Sequence, residues 1–446
     1  MARISASSFY AAVWRWHFIA GLVVMPFLCV LAVTGGIYLF SPELDVLIYR
    51  DYDRVARAGR TALPLEALVA SAERGSQGGV KQVVVTGDPQ RSVRMTVHTP
   101  REARTVFVDP YDGKVLGATD YGGAMQVVRK LHSLQYFGAK ASWLMEIAAG
   151  WAIVLSLTGI YLWWPRGAKG GVVTVRGSPA KRLFWRDLHA VTGIFASGVI
   201  LFLAVTGMPW SDVWGGKVQE LATEHHVGRP APPAEVVPDW ELDHVSHHDA
   251  TSGMPWALEK APSPSSDASA GRAKITIDEA VARAARAGLP MPFSLTLPAG
   301  ARGAYVVTHT AARAQDARAL YLDQYSGAIL DDVPFDRFGP AAKAIEWGIA
   351  VHQGQEFGEL NRCVMLAGCV AILLLAITSV TMWWKRRPAG SIGVPPQPAQ
   401  PAATRVLAAI VVPVAIFYPL VGISLLAAFV LERAWMLITR IPESSP

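Results

Sequence analysis

The sequence predicts a membrane α-helical bundle, a four-helix pseudo-twofold core plus a fifth span, carrying two α+β domains outside the bilayer. Three observations lead there. The 446-residue chain is 52% hydrophobic and only 17% charged, a balance that ordinary soluble proteins do not reach. Long uncharged stretches recur along it, separated by two extended polar regions. Histidine-containing motifs repeat at fixed offsets between the first and second halves.

The uncharged stretches follow His17 to Phe40, Trp143 to Trp164 (with one acid, Glu146), His189 to Ser211, Arg362 to Trp384 and Arg405 to Leu431. Each is long enough for the roughly 20 residues a helix needs to cross the hydrocarbon. The first exceeds a signal-peptide core and no small-x-small cleavage site follows it, so it reads as an anchor. Between spans two and three stand Arg166, Lys169, Arg176, Lys181, Arg182 and Arg186 with no acid before Asp187; Lys385, Arg386 and Arg387 follow span four. By the positive-inside rule these loops and the N-terminus are cytoplasmic, and the polar stretches lie outside. Orientation accounts for the net charge of +6, so no nucleic-acid partner is implied.

The resulting division is 1–41 for the N-terminus and span one, 42–130 for the first outer domain, 131–165 for span two with a preceding histidine segment, and 166–186 for the basic loop. Span three takes 187–212. The second outer domain, 213–350, contains an insertion at 224–272; span four with its histidine segment takes 351–387, a linker 388–403, span five 404–432 and the tail 433–446. Pro413 and Pro419 interrupt the fifth span, which places the C-terminus outside. Cys29, Cys363 and Cys369 fall within or at the rim of spans and read as small hydrophobes.

Four histidines occupy matching places. His17 in Trp14-Arg15-Trp16-His17 and His189 in Trp185-Arg186-Asp187-Leu188-His189 precede Leu31-Ala-Val-Thr-Gly35 and Leu203-Ala-Val-Thr-Gly207 at an offset of 172. His132 in Leu131-His132-x-x-Gln135-x-Phe137-Gly138 and His352 in Val351-His352-x-x-Gln355-x-Phe357-Gly358 precede spans two and four at an offset of 220, and those spans end alike in Trp163-Trp164 and Trp383-Trp384. Spans one and three run in one direction, two and four in the other, so an axis along the membrane normal relates the halves. That axis brings His17 to His189 near the cytoplasmic surface and His132 to His352 near the outer surface. Ionisable groups at bilayer depth are costly, so repeated ones are functional candidates.

Two neutral imidazoles fill both axial positions of a haem iron, which suits electron transfer rather than oxygen activation. The four histidines are therefore the candidate axial ligands of two b-type haems. Absence of Cys-x-x-Cys-His means non-covalent attachment. Zinc fits less well, because two imidazoles fall short of its usual three or four ligands. Arg15 and Arg186 lie two or three residues before the inner histidines, where they suit haem propionates and equally suit positive-inside anchoring. The paired tryptophans read as an aromatic belt. Thr34 and Thr206 receive no role beyond bonding to their own or neighbouring helices. Histidines 225, 226, 244, 247 and 248 with Asp249 form a possible metal trap in the insertion, which reads as a mobile loop, and His98 and His309 read as exposed strand residues.

The outer segments are themselves a repeat. Pro64 precedes a helix over 65–72, and Thr276-Ile-Asp-Glu279 is a capping box opening a helix to Ala287, stopped by Gly288. Alternating strands follow at 82–86, 93–99 and 105–108 in one segment, and at 304–308 and 319–322 in the other. Asp109-Pro-Tyr-Asp-Gly113 and Asp323-Gln-Tyr-Ser-Gly327 supply similar hairpin turns. This helix, strand and turn pattern resembles the PepSY domain. With the Trp-Arg openings, the Leu-Ala-Val-Thr-Gly segments and Tyr161-Leu-Trp-Trp-Pro-Arg166, residues 10 to 388 resemble the PepSY-associated transmembrane helix family. The resemblance implies a bacterial inner-membrane protein with periplasmic PepSY-like domains, similar to di-haem ferrisiderophore reductases. It implies an oxidoreductase of iron uptake, with membrane lipid, an external ferric siderophore or other acceptor, and a separate cytoplasmic flavoprotein or membrane electron donor as partners. No dinucleotide fingerprint is present to bind a donor directly. PepSY domains also resemble segments of protease propeptides, so a binding or regulatory membrane module without redox activity is the alternative.

Overall fold

The computed structural model describes residues 5–56, 59–167, 170–225, 227–228, 254–259, 263–267, 273–309, 311–390 and 393–438. Helices α1 (Ala6–Tyr38), α2 (Ser41–Ile48), α3 (Arg50–Asp53) and α4 (Leu65–Ser76) lead into strands β1 (Gly79–Val85), β2 (Val93–His98), β3 (Ala103–Val108) and β4 (Val115–Asp120). Then come α5 (Gly123–His132), α6 (Ser142–Trp163), α7 (Arg182–Gly207), α8 (Trp214–Glu224) and α9 (Ile277–Arg286). Strands β5 (Phe293–Thr296), β6 (Ala304–His309), β7 (Arg318–Asp323) and β8 (Ile329–Pro334) precede α10 (Pro340–His352), α11 (Gly358–Arg386), α12 (Pro401–Phe417) and α13 (Pro419–Ile438). The chain divides into a helical unit, Met1–Leu39 with Arg129–Val218 and Arg362–Pro446, and a sheet unit, Phe40–Val128 with Gln219–Asn361.

Among the described residues, four helices in or entering the helical unit are long and apolar enough to cross a membrane: Ala6–Tyr38, Ser142–Trp163, Arg182–Trp210 and Gly358–Arg386. They coincide with the first four expected spans. Helix α6 packs on both α1 and α7. Side chains of α11 meet α1 at Gly36, through Leu366 and Cys369, and meet α7 through Gly193 and Gly368. The pairings are antiparallel and the repeat is visible in them. A Cβ built on Gly21 would lie 3.9 Å from Leu155 Cδ2, and one on Gly193, 172 residues on, 3.8 Å from Leu375 Cδ2, 220 residues on. Small residues at these positions let the helix backbones approach, which is how apolar helices gain packing energy inside lipid.

The fifth span is not one helix. Pro413 is accommodated inside α12, but the backbone turns extended at Tyr418, before Pro419, and a separate α13 begins. A proline cannot donate to the preceding turn and disfavours helical geometry at the residue before it, which explains the break. Neither piece has the length of the other four spans. Both pieces pack on the bundle itself. Val421 is wholly buried and fills the space above Gly150, Trp151 Nε1 donates to Ser424 Oγ at 2.9 Å, and Trp214 stacks near Phe417 and Tyr418.

The two outer segments, expected as separate domains, share a single eight-stranded antiparallel sheet ordered β4-β3-β2-β1-β5-β6-β7-β8. The seam is β1 against β5, with Val83 opposite Leu295 and Val85 opposite Phe293. Apart, these two strands would be apolar open edges, which are liabilities for aggregation. Joined, they complete the ladder and let one core run across both halves: Val83, Val97, Val106, Leu295, Val307 and Leu320 under α4 and α9. Burying each such side chain contributes about 1.5–3 kcal/mol. The two helices cap each other. Leu65 N donates to Asp278 Oδ2 at 2.8 Å, and Ile277 N donates to Glu66 Oε1. Thr276 Oγ1 accepts from Glu279 N at 3.1 Å, one limb of the expected capping box, while the Glu279 carboxylate accepts from Arg283. Both hairpin turns form, with Gly113 at φ 73° and Gly327 at φ 67°. Strands β4, β5 and β8 lie outside the expected strand ranges; β5 is only four residues long, and β4 and β8 interrupt alternation with Gly117 and with Asp331-Asp332.

Parts of the insertion are fixed, contrary to a uniformly mobile loop. Trp256 is buried, its carbonyl accepts from Gln219 Nε2 at 2.9 Å, and Ala257 N donates to Glu346 Oε1 at 2.9 Å. Ser266 Oγ donates to Gly303 O at 2.7 Å, and Asp267 N to Asp323 Oδ2 at 2.9 Å.

Candidate functional site

The sequence of α1 places His17 three turns into an apolar helix, and that of α7 places His189 two turns in. Helix packing brings the rings together: their centroids are 6.5 Å apart and their planes lie at 88°. Each ring is held by the antiparallel partner in its own half. His17 Nδ1 is 2.9 Å from Thr158 Oγ1 on α6, and His189 Nδ1 is 2.9 Å from Thr378 Oγ1 on α11. The positions 17/158 and 189/378 are related by the same offsets as the histidine motifs.

His132 ends α5, ahead of α6. Two short 3-10 turns, Gln135–Phe137 and Ala139–Ala141, with Leu134 and Gly138 at positive φ, connect α5 to α6. His132 Nδ1 lies 2.9 Å from Thr34 Oγ1 on α1, and a Cβ on Gly35 would come within 3.3 Å of its Cε1. Burial pushes this imidazole down to about 4, partly opposed by a backbone hydrogen bond at Leu31, so the ring is neutral at ordinary pH.

His352 closes α10 in the sheet unit. The segment after it is anchored there: buried Glu356 accepts from Ala314 N at 2.9 Å and from Gln315 Nε2 at 2.7 Å, and Asn361 Nδ2 donates to Val351 O at 2.9 Å. Burial pushes the neighbouring Glu346 carboxyl up to about 7, with the Ala257 N–H pulling the other way.

The two arginines are engaged elsewhere than at the rings. Arg15 Nη1 donates to Pro395 O in the linker. Arg186 Nη2 donates to Asp187 Oδ1 at 2.6 Å, and Arg176 Nε donates to Asp187 Oδ2 at 2.8 Å, so a carboxylate only 1% exposed is gripped by two guanidinium groups. That clamp fixes the basic loop, as do Trp163 Nε1 to Val172 O at 2.8 Å and Lys385 Nζ to Ala180 O at 3.0 Å. Trp164 and Trp384 are largely exposed on the helical unit, as belt residues are. His98 ends β2, and His309 Nδ1 is 3.0 Å from Pro292 O. Of the proposed metal trap, His226, His244, His247, His248 and Asp249 lie outside the described residues. Among the described residues, no group of three or more His, Cys, Asp or Glu side chains converges as a metal site.

Thr158 and Thr378 are the residues the sequence reading missed, and Thr34 was seen without a role. A signal existed: Thr34-Gly35, Thr158-Gly159, Thr206-Gly207 and Thr378-Ser379 recur at the two offsets of the histidines.

No curated protein matches the chain. The profile of the family described as the PepSY-associated TM region matches residues 14–386, which covers the sheet unit, three of the four spans and most of the first. This is a membrane protein, and it belongs to the PepSY-associated transmembrane family.

Proposed function

We propose that the protein is a transmembrane electron carrier that binds two b-type haems and reduces an acceptor outside the cytoplasm. The observation that carries this reading is the meeting of His17 and His189 across the bundle. Two metal–nitrogen bonds of about 2 Å each, extended by roughly 1 Å from each nitrogen to its ring centre, give a centroid separation of about 6 Å for imidazoles sharing one metal. The rings stand 6.5 Å apart, so the donor set fits a bis-imidazole iron. His132 and His352 are the proposed ligands of the second haem, on the strength of the repeat. When bound, such groups supply one-electron chemistry with no open coordination position.

The chain's own residues do the rest. Apolar helices keep water from the rings, and the threonines hold them at fixed depth. Two centres in series divide a hydrocarbon thickness of about 30 Å into shorter steps. In the proposed orientation, the basic loop around Arg176 and Arg186 faces the cytoplasm of a bacterial inner membrane, where a separate flavoprotein or membrane carrier supplies electrons. The sheet unit faces the periplasm. The acceptor we propose is ferric iron held by the hard oxygen donors of a siderophore. One electron converts Fe(III) to Fe(II), which binds those donors less tightly and is released.

The test is a redox-difference visible spectrum and haem count on the purified full-length protein. Two haems per chain are expected, with His17→Ala and His132→Ala each removing one centre. A colourless preparation whose four histidines can be replaced without consequence would overturn the proposal in favour of a non-redox PepSY binding module.

A further inference from the structure

We infer that Thr158 and Thr378 are positioning residues that lock His17 and His189 in the form protonated on Nδ1, leaving each Nε2 lone pair bare, as iron ligation requires. The inference rests on the haem reading for its purpose, but its geometry stands independently. A threonine hydroxyl has one proton to give and two lone pairs to receive. In both residues the proton is already directed to the helix backbone: Thr158 Oγ1 donates to Val154 O at 2.7 Å, and Thr378 Oγ1 donates to Leu374 O at 2.8 Å. What remains on each oxygen is acceptor capacity. The imidazole nitrogen 2.9 Å away must therefore be the donor, Nδ1–H to Oγ1.

The same arrangement occurs a third time. Thr34 Oγ1 donates to Val30 O at 2.5 Å and faces His132 Nδ1 at 2.9 Å. Three repetitions on three helix pairs argue for a device rather than three coincidences of packing. The residue after the threonine completes it. A Cβ on Gly159 would lie 3.4 Å from His17 Cε1, and one on Gly35 lies 3.3 Å from His132 Cε1, so a small residue there admits the ring edge and a larger one would turn it. Thr158 and Thr378 are both buried, which removes water as a competing partner. A hydroxyl acceptor behind a metal-bound imidazole also raises the basicity of the ligand, which favours the oxidised metal and lowers its potential.

The experiment uses full-length protein labelled with 15N-histidine, first free of cofactor and then loaded with haem, with resonances assigned through His17→Ala and His189→Ala. In the cofactor-free protein, His17 and His189 are expected to carry their proton on Nδ1. Thr158→Val should move the His17 proton to Nε2, and Thr158→Ser, which keeps the hydroxyl, should leave it in place; Thr378→Val and Thr378→Ser should do the same for His189. In the loaded protein the valine variants should raise the midpoint potential of one centre, and the serine variants should restore it. A wild-type His17 protonated on Nε2, or valine variants with unchanged tautomer and potential, would overturn the inference. Protein that never takes up haem yet shows both Nδ1–H signals would support the lock while sinking the haem reading, so the two fail separately.

Discussion

The histidines of the helical unit and the backbone caps of the sheet unit are held by different kinds of partner. Around the histidines of the helical unit the partners are neutral hydroxyls, Thr34, Thr158 and Thr378, each also tied to its own backbone. In the sheet unit the partners are carboxyls that cap backbone N–H groups: Glu66 and Asp278 across the two helices, Glu346 under Trp256, Glu356 behind His352. Charge is costly at bilayer depth, and a neutral hydroxyl partner avoids it. Away from lipid, a carboxylate that accepts backbone bonds is a strong cap. The lesson is that the histidine rings are held by neutral hydroxyls, while carboxyls hold backbone N–H groups in the sheet.

The sharpest way to break that separation is at its two centres. His17→Ala is expected to abolish one visible haem band outright while amide exchange across β1 and β5 stays as in wild type; slowed or accelerated exchange there would show the units to be coupled. Leu295→Ala, at a fully buried position of the seam, should destabilise the sheet unit by about 2–5 kcal/mol, the usual range for a large-to-small core change. Denaturant unfolding followed in the full-length protein checks it, and the inner haem spectrum should not move. Gly150→Leu puts a side chain where Val421 already sits, so α13 should be displaced at a cost of about 1–3 kcal/mol. A disulfide-trapping assay between cysteines placed at positions 151 and 424 reads that loss directly.

Smaller effects should follow pH in the sheet. Glu346 is raised to about 7 by burial, so the fold favours its protonated form. Its contribution is complete below the ordinary carboxylate range and is lost as pH rises through about 7. Amide exchange in 254–259 should therefore speed up across that window, and Glu346→Gln should flatten the dependence. Asp278 is raised to about 6, first by desolvation and then by its hydrogen bond to Glu66, so the mutual capping of α4 and α9 should weaken as pH rises through about 6. Asp278→Asn keeps an acceptor for Leu65 N–H and should remove the effect, seen as exchange at the first turn of each helix.

Much of this was legible in the residues. Spans one to four announce themselves because lipid demands uninterrupted apolar length, and the capping box at Thr276 and the glycine turns at 113 and 327 are local chemistry written in adjacent positions. The offsets of 172 and 220 sufficed to pair His17 with His189, because duplicated helices around one axis bring equivalent residues to equal depth. Packing alone decided the rest. That β1 and β5 join two repeats into one sheet depends on edges more than 200 residues apart in sequence, whose alternation records a buried face but not the neighbouring strand. That Thr158 faces His17 depends on the rotation of α6 against α1, and a threonine in an apolar helix looks the same in sequence whether it bonds only its own backbone or also a ring. The break at Tyr418 falls before Pro419, while Pro413 is accommodated within α12, a distinction that the two prolines do not carry in sequence.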